Sequence, residues 1–350
     1  VLAGTDELAD ARTLLQRALA ISQAQLPADS VLISNARDGL ADVLTQLNEY
    51  GEAERLCEAA LVVDRKRGPA GYETLSQTLD ELAQTLYAEG RLDAAEAPMR
   101  EALAMRVKYL GTRHALTAVS MNNLAVLFYQ TGRYEEAESE WNQALPVYRE
   151  VYGPEHPEVA TLLNNLGRSA LMAGRVPEAI PLLEQAVQMS EKLKGPAHDD
   201  LVPPLNSLGM AYLYQGDNEH ARANIDRALQ IARLRNHAFL DQVLLNAADL
   251  ELSVRRTDGV PALLDESHRL LQIHYPLATD PSAQWRYAAW EAVNADLMSL
   301  QGRPDEAQAT LAHAREVLTK RFGAQGFYVR RLEQRAKSMN LASAAISAQK

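Results

Sequence analysis

A single cysteine, Cys57, serves 350 residues, so no disulfide can form within the chain and cysteine usage leaves the redox compartment open. No apolar run approaches the ~18 residues that a membrane-spanning helix needs. No basic-then-apolar leader precedes the first helical stretch, and residue 1 is Val1, as expected of a fragment or a processed product. Basic residues are the minority: formal net charge is −11, which disfavours nucleic-acid backbone and anionic lipid as general partners. Catalytic signatures are missing as well. The chain has no GxxxxGK[ST] phosphate loop, no HExxH, no CxxC and no GxSxG elbow, and it is expected to be non-enzymatic, with no cofactor and no metal. What remains is 47% hydrophobic and 23% charged, enough apolar material to bury a core. The charge is uneven: 311–350 holds eight basic and two acidic residues, net +6, leaving −17 for the rest.

What the chain has in abundance is a period. Leu40-Ala41, Leu82-Ala83, Leu124-Ala125, Leu166-Gly167 and Leu208-Gly209 follow one another every 42 residues. Ala53, Ala95, Ala137, Ala179 and Ala221 keep the same step, as do Ala60, Ala102, Ala144, Ala186 and Ala228. A period of this size marks a solenoid or a propeller. Apolar spacing decides between them. Leu124, Leu127 and Phe128, then Ala137, Trp141, Ala144 and Leu145, fall in steps of three, four and seven, the face of a helix. Gly132 stands between the two stretches, at the position after a helix end where a left-handed residue is needed. Each copy therefore reads as two antiparallel helices. The invariably small positions mark close crossings, and Cys57, Met99, Trp141, Leu183 and Ile225 fill one equivalent larger site. Cys57 is thereby read as a packed small hydrophobe.

Joints such as "LGTRHAL", "YGPEHPE" and "KGPAHDD" separate the copies. Pro69, Pro154, Pro157 and Pro196 are expected in loops and Pro177 near a helix start, while Pro146 falls mid-helix and predicts a kink. His114, His156 and His198 also step by 42. Adjacent repeats stand about 10 Å apart, too far for one zinc ion, so loop stabilisation is the better reading. His220, His237, His268, His274 and His313 follow no ligand spacing.

With leucine-small, glycine, then alanine, large apolar, alanine (Leu124-Ala125, Gly132, Ala137, Trp141, Ala144), the chain resembles tetratricopeptide-repeat proteins. The 42-residue period and the "GPEHPE" joint are similar to the long repeats of kinesin light chains. Arrays of this kind also follow the kinase domain of membrane-anchored bacterial serine/threonine kinases. That resemblance implies an all-α, right-handed superhelical solenoid of antiparallel helix pairs, six to seven repeats with a C-terminal capping helix. In register terms, residues 1–30 hold the second helix of a truncated repeat, because Ala11, Leu15 and Ala18 precede Ala53, Cys57 and Ala60 by one period. Residues 31–236 hold five regular repeats, 237–327 degenerate ones, and 328–350 a capping helix and tail. The ladder fades across Asp241–Ser267, and its register there cannot be set from sequence. It returns at Ala295, Gly302, Ala307, Leu311 and Ala314, with 86 residues from Ala221 to Ala307. "WRYAAW" at 285–290 is expected to be core packing.

In the family the first helix of each pair lines a concave wall that receives an extended peptide or a partner helix. The positions that fall on this wall are Asp38, Asp80, Asn122, Asn164 and Asn206, then Asp42, Gln84, Val126, Arg168 and Met210, with Tyr87 and Tyr129 one turn on. Asparagine both donates and accepts, so such a row suits a peptide backbone of any sequence. Asp38, Asp42 and Asp80 favour a basic ligand end, and Arg168 a carboxylate. The alternative is that the asparagines bridge neighbouring repeats. The expected partner is a protein or peptide, not nucleic acid, with a membrane involved only through a parent chain. The compartment is periplasmic if that parent is a transmembrane kinase, otherwise cytoplasmic. A rival reading is homo-oligomerisation through the C-terminal half, and the basic tail (Arg330, Arg331, Arg335, Lys337) is expected either in solvent or against acidic groups of its own groove.

Overall fold

The computed structural model describes residues 2–277, 283–324 and 326–348, and among them every regular element is helical, with sixteen α-helices and no strand. The first helix, α1, spans Leu2–Gln25. Pairs follow: α2 (Val31–Gln46) with α3 (Tyr50–Lys66), α4 (Tyr72–Ala88) with α5 (Leu92–Leu110), and α6 (Ala115–Gln130) with α7 (Tyr134–Tyr152). Next come α8 (Pro157–Met172) with α9 (Val176–Lys194), and α10 (Val202–Gln215) with α11 (Asn218–Arg235). The last elements are α12 (Leu240–Ser253) with α13 (Val260–His274), α14 (Gln284–Leu300) with α15 (Pro304–Phe322), and α16 (Phe327–Ala348). None is long and apolar enough to cross a membrane.

The helices fall into two units, Val1–Thr131 with Ser139–Val147, and Gly132–Glu138 with Tyr148–Lys350. Inside each unit a helix packs on its sequence neighbours, as in α2 on α3, α3 on α4, α8 on α9 and α9 on α10. The small-residue ladders explain this. In the first unit Ala53, Ala60, Ala95, Ala102 and Ala144 are fully buried, and in the second Ala137, Ala179, Ala186, Ala221 and Ala228 are too. The larger layer is equally closed: Cys57, Trp141, Leu183 and Ile225 are at most 1% exposed. Ala18 differs from Ala60 in being exposed. A β-carbon on Gly167 would stand 2.6 Å from Leu183 Cγ, and one on Gly209 would stand 2.5 Å from Ile225 Cγ1. Branched chains thus face glycine, while Ala41, Ala83 and Ala125 face Cys57, Met99 and Trp141. Gly132 has φ +79°, the left-handed conformation expected after α6.

Each histidine of the joints caps a helix. His114, His156 and His198 accept through Nδ1 from the backbone N–H of Leu116, Glu158 and Asp200, all at 3.2 Å. His237, which the sequence reading left without a role, does the same for Phe239 at 3.1 Å. It follows His198 by 39 residues, and that shorter step resolves the faded register. Val260, Leu264 and Ser267 keep the four-then-three spacing of Ala221, Ile225 and Ala228, displaced by 39, and they are at most 2% exposed. Ser267 substitutes for alanine because its hydroxyl donates to the Asp241 carbonyl at 2.8 Å.

Proline placement departs from expectation in two ways. Pro157 is the first residue of α8, where a missing N–H costs nothing. Pro98 and Pro181 join Pro146 inside helices, and all three helices continue past them. The aromatic run near 285 packs inward as expected: Trp285 and Trp290 lie against the core of α12–α16, and Trp290 Nε1 donates to the Leu264 carbonyl at 3.0 Å.

Candidate binding face

In the first unit the first-helix positions sort into anchored and open groups. Asp38, 3% exposed, accepts from Thr78 Oγ1 at 2.7 Å, and the same hydroxyl lies 3.1 Å from Asp64. Burial pushes the Asp38 carboxyl up to about 6 against the bond from Thr78. Asp80 pairs with the buried Arg106 at 2.5 Å, yet burial still raises its pKa. Asn122 Oδ1 accepts the Trp141 indole N–H at 3.0 Å. These three face inward structural partners. Asp42 and Gln84 are exposed, and Asp42 accepts from Gln46 at 3.0 Å. Tyr87, Val126 and Tyr129 are half-buried, with Tyr129 tilted against Trp141 at a centroid distance of 6.2 Å. Burial also raises the Tyr87 phenol.

Sequence spacing missed Glu81, one residue off the counted face. Its carboxyl is pushed up to about 8, first by burial and then by Asp42, Asp38 and Asp80. Oε1 of Glu81 and Oδ1 of Asp38 are buried with no hydrogen-bond partner among the described residues. Four carboxylates on α2 and α4 therefore share a region in which Arg106 and Arg37 are the cations acting on them.

In the second unit the asparagines again divide. Asn206, 5% exposed, accepts from Asn246 Nδ2 at 2.8 Å, so here the residue does bridge successive repeats. Asn164 is 7% exposed and its Oδ1 has no partner among the described residues. Arg168 and Met210 are half-buried. Met210 also lines a cavity of about 40 Å³ whose other walls include Asn246, Asp249, Phe327 and Arg331.

That cavity exists because α16 turns onto this face. Arg331 reaches Asp249 Oδ1 at 2.9 Å and Arg335 reaches Asp249 Oδ2 at 2.5 Å, while Arg335 also pairs with Asp296. The two arginines hold the buried Asp249 carboxyl below its usual value against the cost of burial. Arg330 Nη2 donates to the Ala173 carbonyl at 2.7 Å, and Phe327 packs on Tyr214 at 5.1 Å. Of the two fates expected for the basic tail, contact with acidic groups of its own groove is the one observed for Arg331 and Arg335. Sequence could not name Asp249 as their partner because the register of α12 was unset.

Among the described residues, one group offers three metal-ligand atoms within 4.8 Å of one another: His198, Asp199 and Asp200. Its groups are already engaged, His198 Nδ1 by the Asp200 N–H and the Asp200 carboxylate by Lys194.

The helix-pair geometry and the ladders agree with sequence-family comparison. A tetratricopeptide-repeat family profile matches residues 74–145, 126–192 and 158–234, and two further ones match 34–67 and 292–313. The chain belongs to the tetratricopeptide-repeat family. No curated protein matches it by sequence. Among solved structures, this repeat protein is similar to BtubC (BKLC) from P. vanneervenii, with 26% identity, a TM-score of 0.58, and 65% of this chain and 92% of that chain covered. It is similar to the nearly identical repeats of a putative kinesin light chain from Podosopora anserina, with 23% identity, 61% and 100% coverage and a TM-score of 0.54. A Rap protein complexed with competence and sporulation factor shares the fold at 12% identity, 96% and 99% coverage and a TM-score of 0.59.

Proposed function

We propose that this repeat protein is a non-catalytic module that binds a protein or peptide on the first-helix face, with a cationic stretch of the ligand set over Asp42 and Glu81. The acidic region of α2 and α4 carries this reading. Burial and the Asp42, Asp38 and Asp80 charges hold a proton on Glu81, whose buried Oε1 has no hydrogen-bond partner among the described residues, and a ligand lysine or arginine displaces that proton and pairs with the carboxylate. Gln84, Val126, Tyr87 and Tyr129 extend the same face with amide, apolar and phenolic surface, which suits a peptide main chain and its side groups. Asn164, with its unpartnered oxygen, plays the same part in the second unit. The solved Rap structures in complex with competence and sporulation factor and with the Phr* peptide support the choice of a peptide ligand.

The finer context, a signal-receiving region of a bacterial membrane-anchored serine/threonine kinase, rests on the repeat resemblance alone. Its check is whether the gene's full reading frame encodes a kinase domain ahead of these repeats.

Binding is tested by fluorescence anisotropy with short peptides, one lysine- and arginine-rich and one of reversed charge. The basic peptide binds the wild type, and Asp42→Asn with Glu81→Gln weakens it about tenfold, the loss of ~1.4 kcal/mol. Equal affinity for both peptides, or no effect of the double substitution, rejects the reading. Light scattering on the same samples shows whether self-association, the rival reading, accounts for any loss of free sites.

A further inference from the structure

We propose that the face formed by α10, α12 and α14 is a second binding surface, specific for a helix that carries an aromatic pair followed by two arginines one turn apart, and that α16 occupies it in cis. This deepens the peptide-binding reading and rests on it.

The receptor side is built for guanidinium groups. Asp249 on α12 and Asp296 on α14 have side chains only 13% and 19% exposed. Left alone, two carboxylates so enclosed and so near each other would be strongly disfavoured. Arg331 and Arg335 resolve this together: Arg331 forks across Asp249, at 2.9 Å from Oδ1 and 3.4 Å from Oδ2, Arg335 adds to Oδ2 at 2.5 Å, and Arg335 extends to Asp296. An occupant lacking the Arg335 cation leaves Asp296 without its arginine, and one lacking both leaves two buried carboxylates unpaired, so the surface excludes neutral or acidic helices. Phe327 and Tyr328 define the other requirement. Phe327 packs on Tyr214 at 5.1 Å, and both rings line the cavity of about 40 Å³ left against Met210 and Asn246. A ligand with bulkier groups at these two positions fills space that α16 leaves empty, which gives a partner in trans an advantage over the resident helix. A third contact fixes the direction of the occupant. Arg330 caps the Ala173 carbonyl beyond α8, where Gly174 makes room: a β-carbon there would lie 1.3 Å from Arg330 Nη2.

Cys57 is fully buried, so Met210→Cys introduces the one thiol that can report on this face. In the full chain that thiol is expected to label slowly. Arg331→Met with Arg335→Met, which keeps the side-chain stems, should accelerate labelling at least tenfold. A synthetic 22-residue peptide of the α16 sequence should restore protection, and the same peptide with both arginines replaced by methionine should not. If the double variant loses its circular-dichroism melt, Arg330→Ala serves instead, with a two- to fivefold acceleration expected. Unchanged labelling in a folded variant, or protection by the arginine-free peptide, overturns the proposal. Should that happen while basic peptides still respond to Asp42→Asn and Glu81→Gln, the first-unit reading stands and only this surface is withdrawn.

Discussion

Gly167 faces Leu183 with no room between them: a β-carbon on the glycine would meet Leu183 Cγ at 2.6 Å and the Ala179 carbonyl oxygen at 3.2 Å. The equivalent first-helix position carries alanine wherever the opposing residue is Cys57, Met99 or Trp141. The pair, not either residue alone, sets how closely two helices of a repeat approach.

Gly167→Ala should therefore destabilise the second unit although alanine is the better helix former. Overpacking costs about 1–3 kcal/mol, against roughly 1 kcal/mol gained in helix propensity. Adding Leu183→Met, which recreates the Ala83–Met99 combination, should recover most of the loss. Urea denaturation of the three proteins decides it, and a Gly167→Ala midpoint at or above wild type refutes the pairing.

Asn122→Ala should lower stability as well as any affinity. Trp141 is 1% exposed and its indole N–H would lose its acceptor, which costs about 1–3 kcal/mol. Asn122→Asp, which retains an acceptor, should melt closer to wild type. The measurement is the thermal midpoint of each, with tryptophan emission following this layer.

Stability of the first unit should fall as pH rises from about 4.5 to about 8. Glu81 has its carboxyl pushed up to about 8 from 4.5, so across that window the native state holds a proton that the unfolded chain has released. The native state binding more protons means stability declines with pH. Asp38, raised to about 6 from 3.8, adds the same sign over its own window. Glu81→Gln should flatten the slope and melt higher than wild type at pH 8. Parallel pH curves for the two proteins would remove Glu81 from the account.

The Cys57 thiol should ignore an aromatic disulfide reagent in the native protein. It is fully buried, and burial followed by the neighbouring Glu81 and Asp38 charges pushes its pKa up, so thiolate is scarce. Its reaction rate should then track unfolding of the first unit, rising with urea. Fast reaction in native buffer contradicts the packing described.

The fold was legible where close crossings demand one kind of residue. A β-carbon is all that fits at Ala53, Ala95, Ala137, Ala179 and Ala221, so the letters repeat and the period shows. It was illegible at α12 and α13 because Val260 and Ser267 meet the same spatial need with other chemistry, Ser267 by returning its hydroxyl to the backbone. The His198-to-His237 step of 39 already held the missing register, hidden because it is three residues short of the period that His114, His156 and His198 keep. The candidate face was legible as a set of positions and not as roles. Whether an asparagine at that point is free depends on what its own repeat or the next one offers: Trp141 for Asn122, Asn246 for Asn206, no donor among the described residues for Asn164. Such partners lie 19 to 40 residues away and leave no mark on the local pattern.

The hydrogen bond from Arg330 to the Ala173 carbonyl joins positions 157 residues apart, whereas successive helices of the stack pack on their sequence neighbours. Closing so long a loop carries an entropic cost that local helix pairing does not. Refolding of the second unit should then have two stages, rapid growth of its pairs and a slower docking of its last helix, and trimming the C-terminal end would be felt at the start of the unit.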